Sequence, residues 1–366
     1  MISEYFLFPY YFALKIRDFL YTSGKRKSVS FDVPVISVGN LSIGGTGKTP
    51  AVEAIVRMLR NECRVAVISG GYGRKTDGFL LVDVSDSAAK VGDEPLQIKR
   101  KFPDVIVVVD KIRERAVRQL LVLPEPSRPQ IIVLDDGFQY RRLSHTHDIV
   151  LVDYSRPVFR DNLFPIGRLR DLPERIREAD TVIVTKCPEN PDSGDRKAAG
   201  GANRIAPPQN IFFSRIKYLQ PVPVFGEYAD RRYVYSKEIY LFTGIADDTP
   251  MILYLTEIYD RIYHRAFLDH HRFNRLDILR INRFTRAHPR TMILTTEKDA
   301  QRLRHLDSIS DEVKERLFYL PIEMEFTSWQ ERADFTALLK SFIPSGPKKS
   351  PKTKSQDSGE FTGELF

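Results

Sequence analysis

The chain has 366 residues, 42% of them hydrophobic and 28% charged, which is enough apolar material for a globular core and excludes disorder throughout. Lysine and arginine number 56 against 48 acidic residues, a net charge of +8, so anionic company is favoured: phosphates, acidic lipid or nucleic acid. Cys63 and Cys187 lie far apart, which gives neither a disulfide framework nor a cysteine-based zinc site and fits a reducing compartment.

The first twenty residues crowd Tyr5, Phe6, Phe8, Tyr10, Tyr11, Phe12 and Phe19 around Pro9, and Gly24-Lys25-Arg26-Lys27 follows. A signal peptide needs a cleaner apolar stretch and small residues before its cleavage site, and no run reaches the roughly 18 apolar residues of a spanning helix. From residue 33 short β-branched runs alternate with helix-like stretches, the rhythm of a parallel sheet covered by helices. The strands are expected at Val33–Val38, Arg64–Ser69, Asp104–Val109, Gln130–Leu134, Asp148–Val152 and Thr181–Thr185, each near-continuously apolar as buried parallel strands are. Pro188–Asn210 reads as a linker. Beyond it, strand-like Ile239–Thr243 and Thr291–Leu294 flank an amphipathic helix around Leu276–Arg283. The expected division is an N-terminal helix over 1–28, an α/β P-loop NTPase-like core with a mostly parallel sheet over 29–205, a smaller C-terminal α/β lobe over 206–344, and a Lys-, Ser- and Pro-rich disordered tail over 345–366.

The strongest chemical signal follows the first strand: Ser42-Ile43-Gly44-Gly45-Thr46-Gly47-Lys48-Thr49, then a helical pattern from Pro50 to Leu59. Strand, glycine loop and helix are the context a phosphate-binding loop requires. Its glycines turn backbone N–H groups onto phosphates, the helix N-terminus adds partial positive charge, Lys48 reaches the β- and γ-phosphates, and Thr49 offers its hydroxyl to Mg²⁺. The departure is Ser42, which stands where the pattern has its first glycine. An acid for the metal is expected at the end of a neighbouring strand, and Asp135-Asp136-Gly137 supplies two; the plainer reading is a turn.

Gly92-Asp93-Glu94-Pro95 precedes an apparent helix over Leu96–Lys101. It reads either as a helix cap, with Glu94 as the cap residue if Pro95 opens the helix, or as a pair of acids at the carboxyl edge of the sheet, where a catalytic base belongs. Asp269-His270-His271 supplies a base and an orienting partner or a bland surface pair, and without a third ligand at metal spacing zinc is not proposed. Thr296-Glu297-Lys298-Asp299 reads as a helix cap rather than as chemistry. Arg74, Arg113, Arg168 and Arg170 are the candidate phosphate clamps.

These motifs together, with Gly71-Tyr72-Gly73-Arg74, Gly137-Phe138-Gln139, Gly167-Arg168-Leu169-Arg170 and Thr296 to Ala300, resemble the tetraacyldisaccharide 4'-kinase family of lipid A biosynthesis over roughly residues 5 to 330. Tyr140 departs from the family's usual His after Gly-Phe-Gln. The resemblance implies ATP-dependent phosphorylation of the 4'-hydroxyl of a tetraacylated glucosamine disaccharide 1-phosphate at the cytosolic face of the inner membrane. It also implies that Lys48 and Thr49 hold phosphates and Mg²⁺, that Asp135 and Asp136 belong to the metal shell and Glu94 joins it, and that Asp93 is the base, partnered by His270 rather than His271. The N-terminal segment then gains a purpose. On a helix, Phe12, Ile16, Phe19 and Leu20 form one apolar stripe, with Lys15 and Lys25-Arg26-Lys27 suited to anionic headgroups, although a core helix would show a similar stripe. The rivals are a regulatory P-loop NTPase switch and a soluble small-sugar kinase. No aromatic-plus-basic motif supports a nucleic-acid partner.

Overall fold

The computed structural model describes residues 2–344, with side chains from residue 9 onward; the expected tail over 345–366 lies outside the described residues. In chain order the elements are α1 (Ile2–Thr22), β1 (Val35–Asn40), α2 (Lys48–Leu59), β2 (Val65–Ser69), β3 (Leu80–Leu81), α3 (Ala88–Val91), α4 (Asp93–Lys101), β4 (Ile106–Val109), α5 (Arg113–Leu121), β5 (Ile131–Asp135), β6 (His147–Asp153), β7 (Thr181–Thr185), α6 (Ser193–Ala202) and β8 (Asn210–Tyr218). They continue with β9 (Val222–Pro223), β10 (Glu238–Thr243), α7 (Thr249–Thr256), β11 (Arg261–Ala266), α8 (Arg275–Ala287), β12 (Met292–Thr296), α9 (Glu297–Leu303), α10 (Asp311–Arg316), β13 (Leu317–Leu320), β14 (Ile322–Phe326) and α11 (Trp329–Lys340).

Among the described residues the α/β fold has two sheets. A nine-stranded sheet runs β14-β8-β7-β6-β1-β5-β2-β4-β3 and is parallel except at its edges, where β14 and β3 pair antiparallel. Strands β1, β2, β5 and β7 are buried throughout because helices cover both faces. On one face Val52, Ile55, Val56 and Leu59 of α2 pack with Leu96 and Ile98 of α4; on the other, Ala116, Val117 and Leu120 of α5 pack on Val35, Ile68 and Val108. Each such fully buried branched side chain contributes about 2 kcal/mol. A five-stranded sheet, β11-β10-β12-β13-β9, forms the smaller lobe. In the large sheet β1 lies between β5 and β6, so the loops after β1 and β5 emerge side by side at the carboxyl edge, where open α/β sheets take their ligands.

Three expectations are corrected. The sheets do not follow a split at residue 205: β8 pairs with β7, β14 pairs with β8, and Phe335 and Leu339 of α11 join the α2 side of the first core. The chain leaves that layer after Tyr218 and returns at Ile322. Strand β8 was hidden because Arg215 and Lys217 on it pair with Glu325 across the edge, which gives it the polarity of a surface segment. The expected linker contains α6, capped by Asp192, which accepts from the Asp195 N–H at 2.7 Å. Helix α4 begins at Asp93, two residues before Pro95, with Gly92 as its cap.

Candidate active site

The loop after β1 folds as the glycine spacing requires. Gly44 and Gly47 take φ of 104° and 90°, a region that costs other residues roughly 1 kcal/mol or more, and Gly47 delivers the chain into α2 at Lys48. Ser42 instead forms an antiparallel bridge to Leu169 and takes no positive φ, which is why a serine is accommodated there. The loop is pinned from three sides. Ile43 N–H donates to the Arg168 carbonyl at 2.7 Å, Thr185 Oγ1 donates to the Thr46 carbonyl at 2.9 Å, and Asn40 Nδ2 donates to Thr46 Oγ1 at 2.7 Å. Gly45 completes the turn. Thr49 is buried in the first turn of α2. Lys48 Nζ lies 3.4 Å from Asn40 Oδ1 and 3.8 Å from Asp136 Oδ1. Burial pulls its pKa below the usual lysine value although Asp136 and Asp135 oppose this.

Asp135 ends β5, and Ser69 at the end of β2 donates to its Oδ2 at 3.0 Å. Burial, then the charges of Asp136 and Glu94, push its carboxyl up to about 6. The position is short of positive charge. Asp136, at φ 56°, is the opposite case: against its burial, the hydrogen bonds of Arg170 and the charge of Lys48 hold it down to about 2. Arg170 clamps both of its carboxylate oxygens and also donates to Asn40 Oδ1 at 2.6 Å.

The second half of the site comes from both lobes. Gly92 has φ 98°, and a Cβ there would stand 3.1 Å from Gly71 Cα, so α4 starts against the turn that follows β2. Asp93 is buried at that start. Nδ1 of His270 is 3.1 Å from its Oδ2, and Arg302 donates to the same oxygen from Nε at 2.8 Å and Nη2 at 2.5 Å. Burial alone would raise the Asp93 pKa; His270 and Arg302 outweigh it and hold the carboxyl below its usual range. His270, at φ 57°, has its pKa raised by the bond to Asp93 despite its own burial, with Glu94 and Asp269 adding to the effect. Glu94 receives Lys298 Nζ at 2.8 Å and lies 3.9 Å from His270 Nε2. Arg302 is fixed in turn by Asp299 at 2.9 Å and the His271 carbonyl at 3.2 Å.

Lys48, Thr49, Asp135 and Asp136 thus gather at the glycine loop, and Asp93, Glu94 and His270 form a second group, linked to the first through Ser69, which bonds Asp135 two residues before the Gly71 that Gly92 abuts, and through Glu94, whose charge reaches Asp135. His271 is elsewhere, bonded to Asp277 at 2.8 Å and stacked on Phe267. Of the arginines, Arg170 holds Asp136, and the Arg168 guanidinium stands 4.0 Å from where a Gly44 Cβ would be. Arg113 donates to the Asp110 carbonyl at 2.7 Å and lies over the ring of Tyr140, while Arg74 braces its own loop through the Gly78 and Val109 carbonyls. Tyr140 has a structural task, donating to Glu114 beneath Arg113. Sequence reasoning missed Lys298 and Arg302. Thr296 does cap α9, accepting from Asp299 N–H at 3.1 Å, but the i, i+4 spacing of Lys298 and Arg302 puts both cations on the face that meets Asp93 and Glu94.

Residues 5–343 match the family model described as tetraacyldisaccharide-1-P 4'-kinase. The chain is 40% identical over 352 residues to a tetraacyldisaccharide 4'-kinase of Parabacteroides distasonis, covering 94% of this chain and 95% of the relative. It is 39% identical to the Flavobacterium johnsoniae protein of that name, over 91% and 95% of the two chains. A crystal structure of LpxK from Aquifex aeolicus, in complex with ATP, is similar with a TM-score of 0.70 and 26% identity, covering 93% of this chain and 98% of that one.

Proposed function

The chain belongs to the tetraacyldisaccharide-1-phosphate 4'-kinase family and is an ATP-dependent kinase of lipid A biosynthesis, and from this we propose a division of labour among its residues. Asp93 accepts the proton of the sugar 4'-hydroxyl; Lys48 and the N–H groups of Gly44, Gly45 and Gly47 receive the phosphates, those of Ile43 and Thr46 being taken by the Arg168 and Gly44 carbonyls; Thr49 and Asp135 hold Mg²⁺. The observation that carries the proposal is a buried carboxylate, Asp93, held ionised by Arg302 and oriented by His270, next to Glu94, whose charge reaches Asp135 beside the glycine loop.

When bound, ATP supplies the phosphoryl group and Mg²⁺ neutralises charge that develops on its oxygens. The rest falls to the protein. The Asp135 carboxyl, raised to about 6 among other acids, suits a divalent cation, which would relieve that excess of negative charge. Asp136 and Glu94 already carry Arg170 and Lys298, so they act on the cation as neighbouring charge. A carboxylate below its usual pKa is a weak base, but a loose phosphoryl-transfer transition state keeps the attacking hydroxyl's proton until late. The requirement on Asp93 is then position and full ionisation. Incubating the enzyme with ATP, Mg²⁺ and a monophosphorylated acylated disaccharide should add one phosphate to that lipid, while free glucosamine and nucleosides remain unmodified; transfer to the free sugar at a comparable rate would reject lipid selectivity.

A pH dependence follows. Asp135 must be ionised to take Mg²⁺, and its carboxyl protonates as pH falls through about 6, so kcat/KM should decline on the acid side with a midpoint near 6. Raising Mg²⁺ should move that midpoint lower, because the cation competes with the proton. A midpoint that ignores Mg²⁺ would remove Asp135 from the metal site.

We further propose peripheral attachment to the cytoplasmic face of the inner membrane through α1, which leaves the phosphate loop on the side where ATP is available. Among the described residues no helix is long and apolar enough to cross a membrane. The inward side of α1 is docked: Leu14 is buried, Tyr10 donates to the Arg170 carbonyl at 2.8 Å, and Arg17 reaches Asp171 at 2.7 Å. Phe12, Ile16 and Phe19 remain 54%, 46% and 56% exposed, with Lys25 over the Phe19 ring and Lys15 over that of Tyr11. The pair Ile16→Asp and Phe19→Asp is expected to weaken partition onto anionic-lipid vesicles at least about tenfold, two apolar side chains contributing roughly 1.5–3 kcal/mol each, with thermal stability kept. Unchanged flotation would locate the membrane face elsewhere.

A further inference from the structure

At the seam between the lobes, on the side of α4 away from its Asp93 end, lies a cavity of about 320 Å³. Arg100 and Lys101 of α4 face Glu297, Gln301 and Arg304 at α9, and Tyr319 of β13 closes one side. Lys101 is satisfied, lying 2.7 Å from Glu53 and 3.0 Å from Glu297. The two arginines are not neutralised in this way. Arg100 donates only to neutral acceptors, the Val84 and Asp86 carbonyls at 3.1 Å and Gln301 Oε1 at 2.7 Å, with His305 Nε2 at 3.2 Å. Asp86, whose charge also reaches Arg100, is itself bound by Lys90 at 2.5 Å. Arg304 has no side-chain hydrogen bond or ion pair among the described residues and its Nε is buried and unpaired, although the charge of Glu297 reaches it.

Two guanidinium groups share a partly desolvated cavity whose lining carboxylate, Glu297, is paired with Lys101 and bonded to neither of them, an unfavourable arrangement that an oxyanion would relieve, since planar guanidinium donors match its geometry. Consistently, burial and the charge of Arg304 bring the Arg100 pKa down to about 10. We propose that this interlobe cavity is a second anion site, separate from the glycine loop, which takes a small phosphate-type oxyanion between Arg100 and Arg304 with the Tyr319 hydroxyl as a further donor. The proposal does not rest on the assignment of the catalytic residues. Because α4 carries Asp93 and α9 carries Arg302, an ion here would bridge the same pair of helices that forms the base.

The test titrates inorganic phosphate into the Lys48→Ala protein, in which the glycine loop has lost its lysine, at constant ionic strength set with chloride. Calorimetry should give one saturable event accompanied by a rise in Tm. Adding Arg304→Ala should weaken it at least about tenfold, the loss expected for one charge-assisted contact, without lowering the Tm measured in chloride alone; Tyr319→Phe should weaken it less and serves if the arginine variant is unstable. Phosphate binding unchanged by both substitutions, or no saturable binding beyond that of chloride, would overturn the proposal.

Discussion

Asp93→Asn is expected to lower kcat by on the order of 10³-fold, within the range a positioned general base supplies, while the dissociation constant for ATP changes little. The amide keeps the shape of the carboxylate but neither accepts the proton nor balances Arg302. Nucleotide binding should survive because the glycine loop is built within the large lobe from β1, α2 and the Thr185 and Arg168 contacts, none of which involves Asp93. Single-turnover phosphoryl transfer beside equilibrium ATP binding separates the two quantities. Near-normal transfer would remove Asp93 from the chemistry, and a parallel loss of ATP binding would make it a structural residue.

This separation reflects how the site is divided between the lobes. The phosphate grip and Asp135 stand on the large sheet alone, whereas the surroundings of Asp93 are completed by His270, Lys298 and Arg302 from the smaller lobe. A displacement of that lobe would strip Asp93 of the groups that keep it ionised and leave the phosphate loop intact. On the proposed assignment, binding ATP and being ready to use it would therefore be separable.

What could be read from the sequence follows from the range of the forces involved. Strand β7 falls at Thr181–Thr185 as expected, and β1, β2, β5 and β6 fall within about two residues of their expected bounds, because a strand buried on both faces must be apolar along its whole length. The glycine turn into α2 was equally legible, since its geometry depends on local glycine conformations. Long-range placement was not. Nothing near Ile322 or Trp329 signals that these residues rejoin a sheet left a hundred residues earlier, and the polar edge of β8 reads as surface until Glu325 is brought opposite Arg215. Gly92 was visible, but its role as cap depends on the close approach of Gly71. Arg302 was obscured for a different reason: Thr296 explains the local pattern completely as a helix cap, so nothing remained in the sequence to point to a second duty for α9.

That second duty sets the other large effect. Arg302→Met leaves the buried Asp93 carboxylate with His270 as its one close partner, and breaking a buried ion pair by removing one member costs about 3–5 kcal/mol, so Tm should fall substantially. The sign of the pH response is fixed by the wild-type shift. Asp93 has a folded-state pKa below its ordinary value, so it adds stability above the unfolded carboxylate pKa, and that contribution disappears as pH falls through the folded value. Without Arg302, burial dominates and the Asp93 pKa rises; the stability advantage at neutral pH shrinks, and a second acid-side decline in kcat/KM appears, insensitive to Mg²⁺ and so distinct from that of Asp135. Arg302→Lys should lie between, because one ammonium retains the charge but not the paired Nε and Nη2 donors. If Arg302 served only as a strut for Asp299 and the His271 carbonyl, stability would fall in both variants and the pH profile of kcat/KM would stay where it was; a moved profile, recovered in part by lysine, identifies it as the group that keeps the base charged.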